Sequence, residues 1–233
     1  MSNSTISVAS AKLYIKEYLE LPLAALHKEG ENILHTTFAL VRKAGACDLP
    51  NQVLAKALGG LRKYGAHTSI PLTRILELQG FDATLWCLRC VLPGEEAARD
   101  RLARLLVCVY AEHVAHLWAP PAGITWKPED AISVARRYAL GQATVEELDV
   151  ARKAAEIAIQ SIGMHANGAG DAAQAATWPG VVEATMFTAG IAADAGACAK
   201  SEVHSECWRE AWAIEREWQT EQLRLMLDGA DSS

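Results

Sequence analysis

Two pairs of side chains in the sequence have the types and the spacing for metal or redox chemistry. Cys87 and Cys90 are separated by two residues, and His113 and His116 have the same separation. Residues three apart share one face of a helix, so each pair would direct two donor atoms to the same side. Two thiolates and two imidazoles form one of the ligand sets that bind structural zinc. Two neighbouring thiols can also act as a redox pair. The four residues are therefore candidate metal ligands.

The positions of these residues also favour a structural interpretation. Both pairs lie in runs with the apolar spacing of amphipathic helices, where such side chains belong to the core. Structural zinc ligands usually lie in tight knuckles, and a thioredoxin-like motif follows a strand that this sequence does not predict. We expect buried thiols, hydrogen-bonded imidazoles and no metal or other cofactor. A zinc or redox site at the four residues is the alternative.

The motifs of other enzyme classes are not met. Glu112 precedes both histidines, and these are only three residues apart, which is not the H-E-x-x-H spacing of metalloproteases. The sequence contains no G-x-S-x-G. Gly168–Gly170 has neither a preceding strand nor the Lys-Ser/Thr of a phosphate-binding loop. The sequence therefore predicts a protein that is not an enzyme.

The C-terminal segment is rich in tryptophan and arginine. Its predicted core stripe consists of Cys207, Ala211, Ile214, Trp218 and Leu225. Two further tryptophans lie beside that stripe, and alternating glutamate and arginine residues cover its back, as in a solvated helix face. Trp and Arg are also frequent hot spots of protein interfaces. The candidate partner-binding residues of this segment are Trp208, Arg209, Trp212 and Arg216.

The amino-acid composition and the positions of helix-ending residues place these residues on helices. The chain has 233 residues, of which 51% are hydrophobic, and alanine, the strongest helix former, supplies much of that fraction. No run has the strict alternation of a half-buried strand. The sequence predicts an all-α protein, a multi-helix bundle of about 8–10 helices with an Ala-rich core.

Proline, glycine and capping residues set the predicted helix boundaries. Thr144 and Glu147 have capping-box spacing. Residues 61–70 are predicted to form a loop. The predicted helices are a segment from Ala9 that is interrupted at Pro22, then Glu31–Lys43, Leu49–Leu58, Pro71 to Gly80, Asp82–Val91, Glu95–Trp118, Pro128–Leu140, Thr144–Ile162, Met164–Thr177, Pro179–Lys200 and Glu202–Leu227.

The charge of the chain argues against general nucleic-acid binding. The formal net charge is −6 and the pI is about 5.7. Direct phosphate binding needs clustered Lys and Arg. The sequence therefore predicts no direct nucleic-acid partner.

The sequence also indicates a cytoplasmic location. Met1–Ser10 is polar and lacks the features of a signal peptide. The longest apolar run, Leu105–Ala111, is far shorter than the roughly 20 residues that span a bilayer. Without an export signal, the six cysteines are interpreted as reduced thiols. We expect a cytoplasmic protein with no membrane contact.

Four stretches resemble the motifs of one family of bacterial and phage proteins. Ile70–Val91 resembles its "PIPLTxILxxNGLDDALWCLRAV", Ala111–Trp118 its "AEHVLHLF" and Trp218–Leu223 its "WQxEQL". Pro128–Ala155 resembles the family segment that follows "AEHVLHLF". The family is the Imm-5-like immunity proteins, and the resemblance covers about residues 70–227. It implies a protein that neutralises a toxin or effector by direct binding, and it brings no catalytic residues.

The domain prediction follows from the extent of this resemblance. The first 65 residues fit it poorly, so we predict an N-terminal helical segment at 1–65 and an Imm-5-like helical domain at 66–233. Three alternatives to an immunity function remain open. One is a phage-encoded, anti-CRISPR-like antagonist of a bacterial defence complex. Another is the zinc or redox protein described above. The third is a homo-oligomer whose subunits pack through the small residues of Ala189–Ala199.

Overall fold

The protein is a bundle of helices, as the sequence predicts. The structure, a computed structural model, describes residues 34–46, 48–120, 122–162, 168–200 and 206–228. Within them it has eleven α-helices, a 3-10 turn and one two-stranded sheet. The predicted elements before residue 34, and Cys47, lie outside the described residues. The elements are β1 (His35–Thr36), α1 (Phe38–Lys43), α2 (Asp48–Ala57), α3 (Leu61–Tyr64), β2 (Ile70–Pro71), α4 (Leu72–Gln79), α5 (Phe81–Cys87), the 3-10 turn Leu88–Cys90, α6 (Glu96–Ala115), α7 (Pro128–Ala139), α8 (Val145–Ile162), α9 (Gly168–Ala175), α10 (Val181–Lys200) and α11 (Glu206–Asp228).

The predicted helix Glu31–Lys43 is wrong over residues 34–37. His35 and Thr36 pair antiparallel with Pro71 and Ile70 to form the small sheet. The α1 helix begins only at Phe38, because the Thr37 side chain accepts a hydrogen bond from the Leu40 backbone N–H at 3.1 Å and caps the helix there. The two-residue strands depend on pairing between distant segments, which local periodicity does not reveal.

Two further predicted segments, 61–70 and Asp82–Val91, differ in the structure. The predicted loop at 61–70 contains the short helix α3 between two glycines with positive φ and ends in β2. Gly80, and not Asp82, is the N-cap of α5, and α5 ends at Cys87 rather than continuing to Val91. Gly80 has φ of 80°, a left-handed conformation that favours glycine and that turns the chain between α4 and α5.

The helix α6 lies at the centre of the bundle. It packs against α7, α9, α10 and α11. Its second half is almost continuously buried, including Tyr110, which is fully buried. The helices α9 and α10 approach it closely because their buried faces consist mainly of alanine. The predicted Ala-rich core is therefore confirmed.

The small-residue helix α10 is part of this core. By length and composition it could cross a membrane, with a mean hydropathy of 1.2 over its most apolar window, but 56% of that window is buried inside the protein. Polar residues, among them Glu183 and Asp194, interrupt this helix, so it forms no long continuous apolar run in the sequence. Ala189, Ala192, Ala193 and Ala197 are buried within the chain. They therefore offer little free surface for a second subunit, and homo-oligomerisation stays a prediction.

The buried face of α11 differs from the predicted stripe. Cys207 is exposed, and Ile214 is 51% exposed. The face that packs on α6 and α10 contains three polar side chains as well as apolar ones. Its buried residues are Ala211, Glu215, Gln219, Gln222, Leu223, Met226 and Leu227. Polar groups in the neighbouring helices accommodate this face, as described below.

Candidate functional site

The two cysteines of the C-x-x-C segment are buried. Cys87 ends α5, and the Cys90 thiol donates to the Cys87 carbonyl at 3.4 Å. Hydrogen bonding with Cys90, and then burial, raise the pKa of Cys87, whereas the bond with Cys87 lowers the pKa of Cys90 against the effect of burial. The Thr36 hydroxyl donates to the Cys90 carbonyl. The pair therefore packs beneath β1.

The two histidines have different surroundings. His113 lies parallel to the Trp218 ring, with 3.8 Å between ring centroids, and its Nε2 shares a hydrogen bond of 2.8 Å with Glu215. His116 is exposed at the C-cap of α6. Among the residues that the structure describes, no three or more His, Cys, Asp or Glu side chains form a group that could hold a metal ion. Cys87, Cys90, His113 and His116 are therefore not brought together as one ligand set.

Glu215 is the centre of a polar network beneath α11. Its side chain is 3% exposed and accepts hydrogen bonds from His113 and from the Lys200 ammonium group. Burial acts to raise the pKa of Glu215, but the bonds from His113 and Lys200 outweigh that effect and lower it below the ordinary carboxyl value. The network fastens α11 to α6 and α10.

Gly196 makes room for this carboxylate. A Cβ at position 196 would lie 2.7 Å from the Glu215 Cδ. Two helices that meet at a glycine can bring a charged side chain between them without a steric clash. The sequence shows only a glycine inside an alanine-rich helix.

Some of the predicted partner-binding residues make contacts within the chain, and others are exposed to solvent. The Trp212 Nε1–H donates to Asp194 Oδ1 at 3.0 Å, and the Arg216 guanidinium lies 4.8 Å from the Trp212 ring centroid. Trp208 is half-buried, and Arg209 is exposed. The contacts of Trp212 and Arg216 hold α11 in place, so a role for these two side chains at an interface stays a prediction.

A groove between α7 and α8 is a largely apolar concave surface. The two helices form an antiparallel pair joined by a short loop. Between them lies a cavity of about 520 Å³. It is lined by Trp126, Asp130, Ala131, Val134, Arg137, Glu146, Glu147, Val150, Ala151 and Ala154. Grooves of this size and lining are typical of binding sites.

The loop before α7 fixes one wall of this groove. Trp126 packs edge to face on Trp118, with 5.2 Å between ring centroids, and the Trp118 Nε1–H donates to the Trp126 carbonyl at 3.3 Å. Trp118 in turn lies over Gly170 of α9, where a Cβ would approach the Trp118 ring to 2.4 Å. The wall is thus held by the bundle and is formed before anything binds.

The other end of the groove is fixed by polar contacts. Thr144 and Glu147 form the predicted capping box, with bonds of 2.8 and 3.2 Å, which confirms that prediction. Glu147 also pairs with Arg137 across the two helices at 3.2 Å. The backbone N–H of Thr144 and then the Arg137 guanidinium lower the pKa of Glu147.

An apolar stripe on α8 continues from the groove onto the surface. Val150 is 67% exposed and Ile157 is 69% exposed, with the exposed Ala154 between them. Val145, at the start of the same helix, is 57% exposed. Three of the six exposed large hydrophobic residues of the described chain therefore belong to this one helix. We call Val150, Ala154 and Ile157 the α8 stripe.

This surface does not belong to the residues that the sequence predicts to bind a partner. The α8 helix carries apolar residues on two sides, since Leu148, Ala155 and Ala158 are buried. Val150 and Ile157 lie at i and i+7, about two helical turns apart. They give as good an apolar pattern as the buried residues on the opposite side. Their spacing was a signal for an amphipathic face, but only the packing of α7 and α9 decides which side is covered.

Comparisons with family models, with curated proteins and with solved structures found no match. The resemblance to the Imm-5-like immunity proteins therefore stays a prediction.

Proposed function

We propose that this protein neutralises a toxin or effector by binding it directly, and that the groove between α7 and α8 receives the partner. The observation that carries the binding role is the continuity between the apolar groove and the α8 stripe. The neutralising role comes from the family resemblance. In this proposal the protein binds its partner and catalyses no reaction on it.

Burial of the α8 stripe supplies the driving force in this proposal. Each large apolar side chain that moves from water to a fitted interface contributes about 1.5–3 kcal/mol. Val150 and Ile157 are each more than two thirds exposed. The rigid wall at Trp126 adds an aromatic surface without a cost in side-chain ordering, because its ring is already held by Trp118.

The geometry favours this groove over the predicted surface on α11. The Trp212 ring is stacked with Arg216, and its N–H is bonded to Asp194. A partner at that surface would have to displace contacts within the chain. A partner at the α8 stripe would cover side chains that no other described helix covers.

The test is a pull-down with matched variants of the full chain. Val150→Arg and Ile157→Glu together keep the net charge, and the i,i+4 spacing pairs the new Arg with Glu146 and the new Glu with Lys153, which supports the helix. Val53→Glu is the control, because Val53 is 54% exposed on the separate helix α2. We expect one stoichiometric partner with the wild type and the control, and its loss with the double variant.

A second readout addresses neutralisation. The captured protein, expressed alone, should arrest growth of the host or block a cellular process, and co-expression of the wild-type chain should relieve that effect. A partner that the double variant retains would reject the groove. A captured protein whose activity does not change on binding would reject the neutralising role.

A further inference from the structure

The charges around the groove restrict what can occupy it. Three carboxylates and one guanidinium lie in its lining, namely Asp130, Glu146, Glu147 and Arg137. Arg137 is already paired with Glu147. Within the described residues, the Glu146 side chain has neither an ion pair nor a hydrogen bond. A bound segment would therefore face negative charge that the protein itself does not neutralise.

The carboxylates lie at both ends of the groove. Asp130 is in the first turn of α7, beside the Trp126 wall, and Glu146 is in the first turn of α8. The partial positive charge of each helix N-terminus accounts for their presence in the fold. The partner nevertheless meets them as an acidic rim around an apolar centre. A complementary segment has an apolar face with a basic residue toward each end.

The shape of the surface favours a helix as the bound segment. Apart from the Trp126 wall, the groove is formed by the helices α7 and α8, whose backbone groups are bonded internally, so the surface offers no free sheet edge to an added strand. Asp130 and Arg137 are seven residues apart, which is about 10 Å along α7. The α8 stripe has the i, i+4, i+7 spacing of one helix face. A helix laid along it presents anchors at the same intervals.

We infer that the groove binds an amphipathic helix of the partner protein, with apolar anchors spaced i, i+4 and i+7 and with Lys or Arg near its ends. This inference rests on the proposed function and adds the chemistry of the partner segment to it. The like charges of the rim argue against a second copy of this chain docking groove to groove, because carboxylates near the same ends would face one another.

The test is site-specific photo-crosslinking in cells that contain the captured partner. The full chain carries p-benzoylphenylalanine at position 150, or at position 214 of α11 as a control, since Ile214 is also exposed. The crosslinked peptide is then sequenced. We expect a crosslink at position 150 to a partner peptide with the apolar spacing given above and flanking basic residues, and none at position 214.

Charge reversal at the rim provides an independent readout. Glu146→Lys should lower the crosslinking yield at position 150 about three- to fivefold at low salt, and less at high salt. Glu210→Lys makes the same change of net charge at an exposed position on α11 and should leave the yield unchanged. Equal losses of crosslinking yield with Glu146→Lys and Glu210→Lys would overturn the inference that the acidic rim pairs with basic residues of the partner.

The identity of the crosslinked peptide separates the remaining outcomes. A partner peptide with acidic flanks, or one without the helical apolar spacing, overturns this inference and leaves the proposed function standing. A crosslink from position 150 to another copy of the chain, or to its own residues 1–33, overturns the partner helix. A partner crosslink at position 214 and none at position 150 overturns the groove itself, and the proposed function with it.

Discussion

The carboxylate of Glu215 and the imidazole of His113 are joined by a hydrogen bond of 2.8 Å, across 102 positions of sequence. Glu215 is at the middle of α11, and His113 is near the end of α6. Together with Lys200 of α10, they connect three helices at one nearly buried carboxylate. Because these hydrogen bonds hold α11 on the bundle, the stability of the protein is sensitive to single substitutions among their residues.

The first prediction concerns the space that Gly196 leaves for Glu215. Gly196→Ala should lower the free energy of unfolding by about 1–3 kcal/mol, because its Cβ would overlap the buried carboxyl group. Urea denaturation followed by circular dichroism measures the change. Gly190 lies on the same helix with open space around its Cβ position, so Gly190→Ala should be neutral or stabilising by up to about 1 kcal/mol. Equal destabilisation by both variants would contradict the close approach at Gly196.

The second prediction concerns the pH dependence of stability. The pKa of Glu215 is lower in the folded protein than in the unfolded chain, where it is about 4.3. The stabilisation is therefore fully present above that value and is lost as the pH falls through the lower, folded value. Glu215→Gln should cost about 1–3 kcal/mol near pH 7, and the difference from the wild type should shrink as the pH is lowered below about 4.

Urea midpoints of the wild type and the variant at a series of pH values measure this difference. Glu210→Gln, on the exposed side of the same helix, is the control and should follow the wild type at every pH. A difference between wild type and Glu215→Gln that does not change with pH would exclude the ionised carboxylate as its source.

The third prediction concerns the thiols. Cys198 and Cys207 are exposed, whereas Cys87, Cys90 and Cys108 are buried. Burial also raises the pKa of the Cys108 thiol to about 12. In a Cys47→Ser background, two thiols should react with a disulfide reagent within minutes and three only after denaturation. Fast reaction of Cys87 or Cys90 would contradict their burial and revive the redox interpretation.

The fourth prediction concerns Trp212. Trp212→Phe keeps a ring against Arg216 but loses the bond to Asp194, and it should cost about 0.5–1.5 kcal/mol. Trp212→Ala loses both contacts and should cost more. Thermal and urea unfolding measure both variants beside the pull-down. A Trp212→Ala protein of wild-type stability that no longer binds the partner would move the interface to α11.

Much of the fold follows from the sequence because helix boundaries depend on local chemistry. The capping box at Thr144 and Glu147, and Pro128 at the start of α7, define their helices within a turn. The β1–β2 pairing is different, since His35 and Pro71 are brought together only by the packed bundle. A two-residue strand has too few residues to show a period of its own.

The candidate site was harder to predict for a related reason. Hydrophobic spacing gives the apolar sides of α8 but not which side α7 and α9 cover, so Val150 and Leu148 are equivalent in the sequence and opposite in the structure. On α11, periodicity assigned the core to Ile214 and missed Glu215. The partners that permit burial of Glu215 lie on other helices, at His113 and Lys200.

Partner binding at the groove is tested most directly by the affinity of the captured partner for purified wild-type and variant chains, measured by isothermal titration calorimetry. We expect Val150→Arg with Ile157→Glu to weaken binding at least about 100-fold, equivalent to about 2.7 kcal/mol, because two anchors are lost. Val53→Glu should bind with the wild-type Kd. Equal Kd values for all three proteins would show that the partner does not use the groove between α7 and α8.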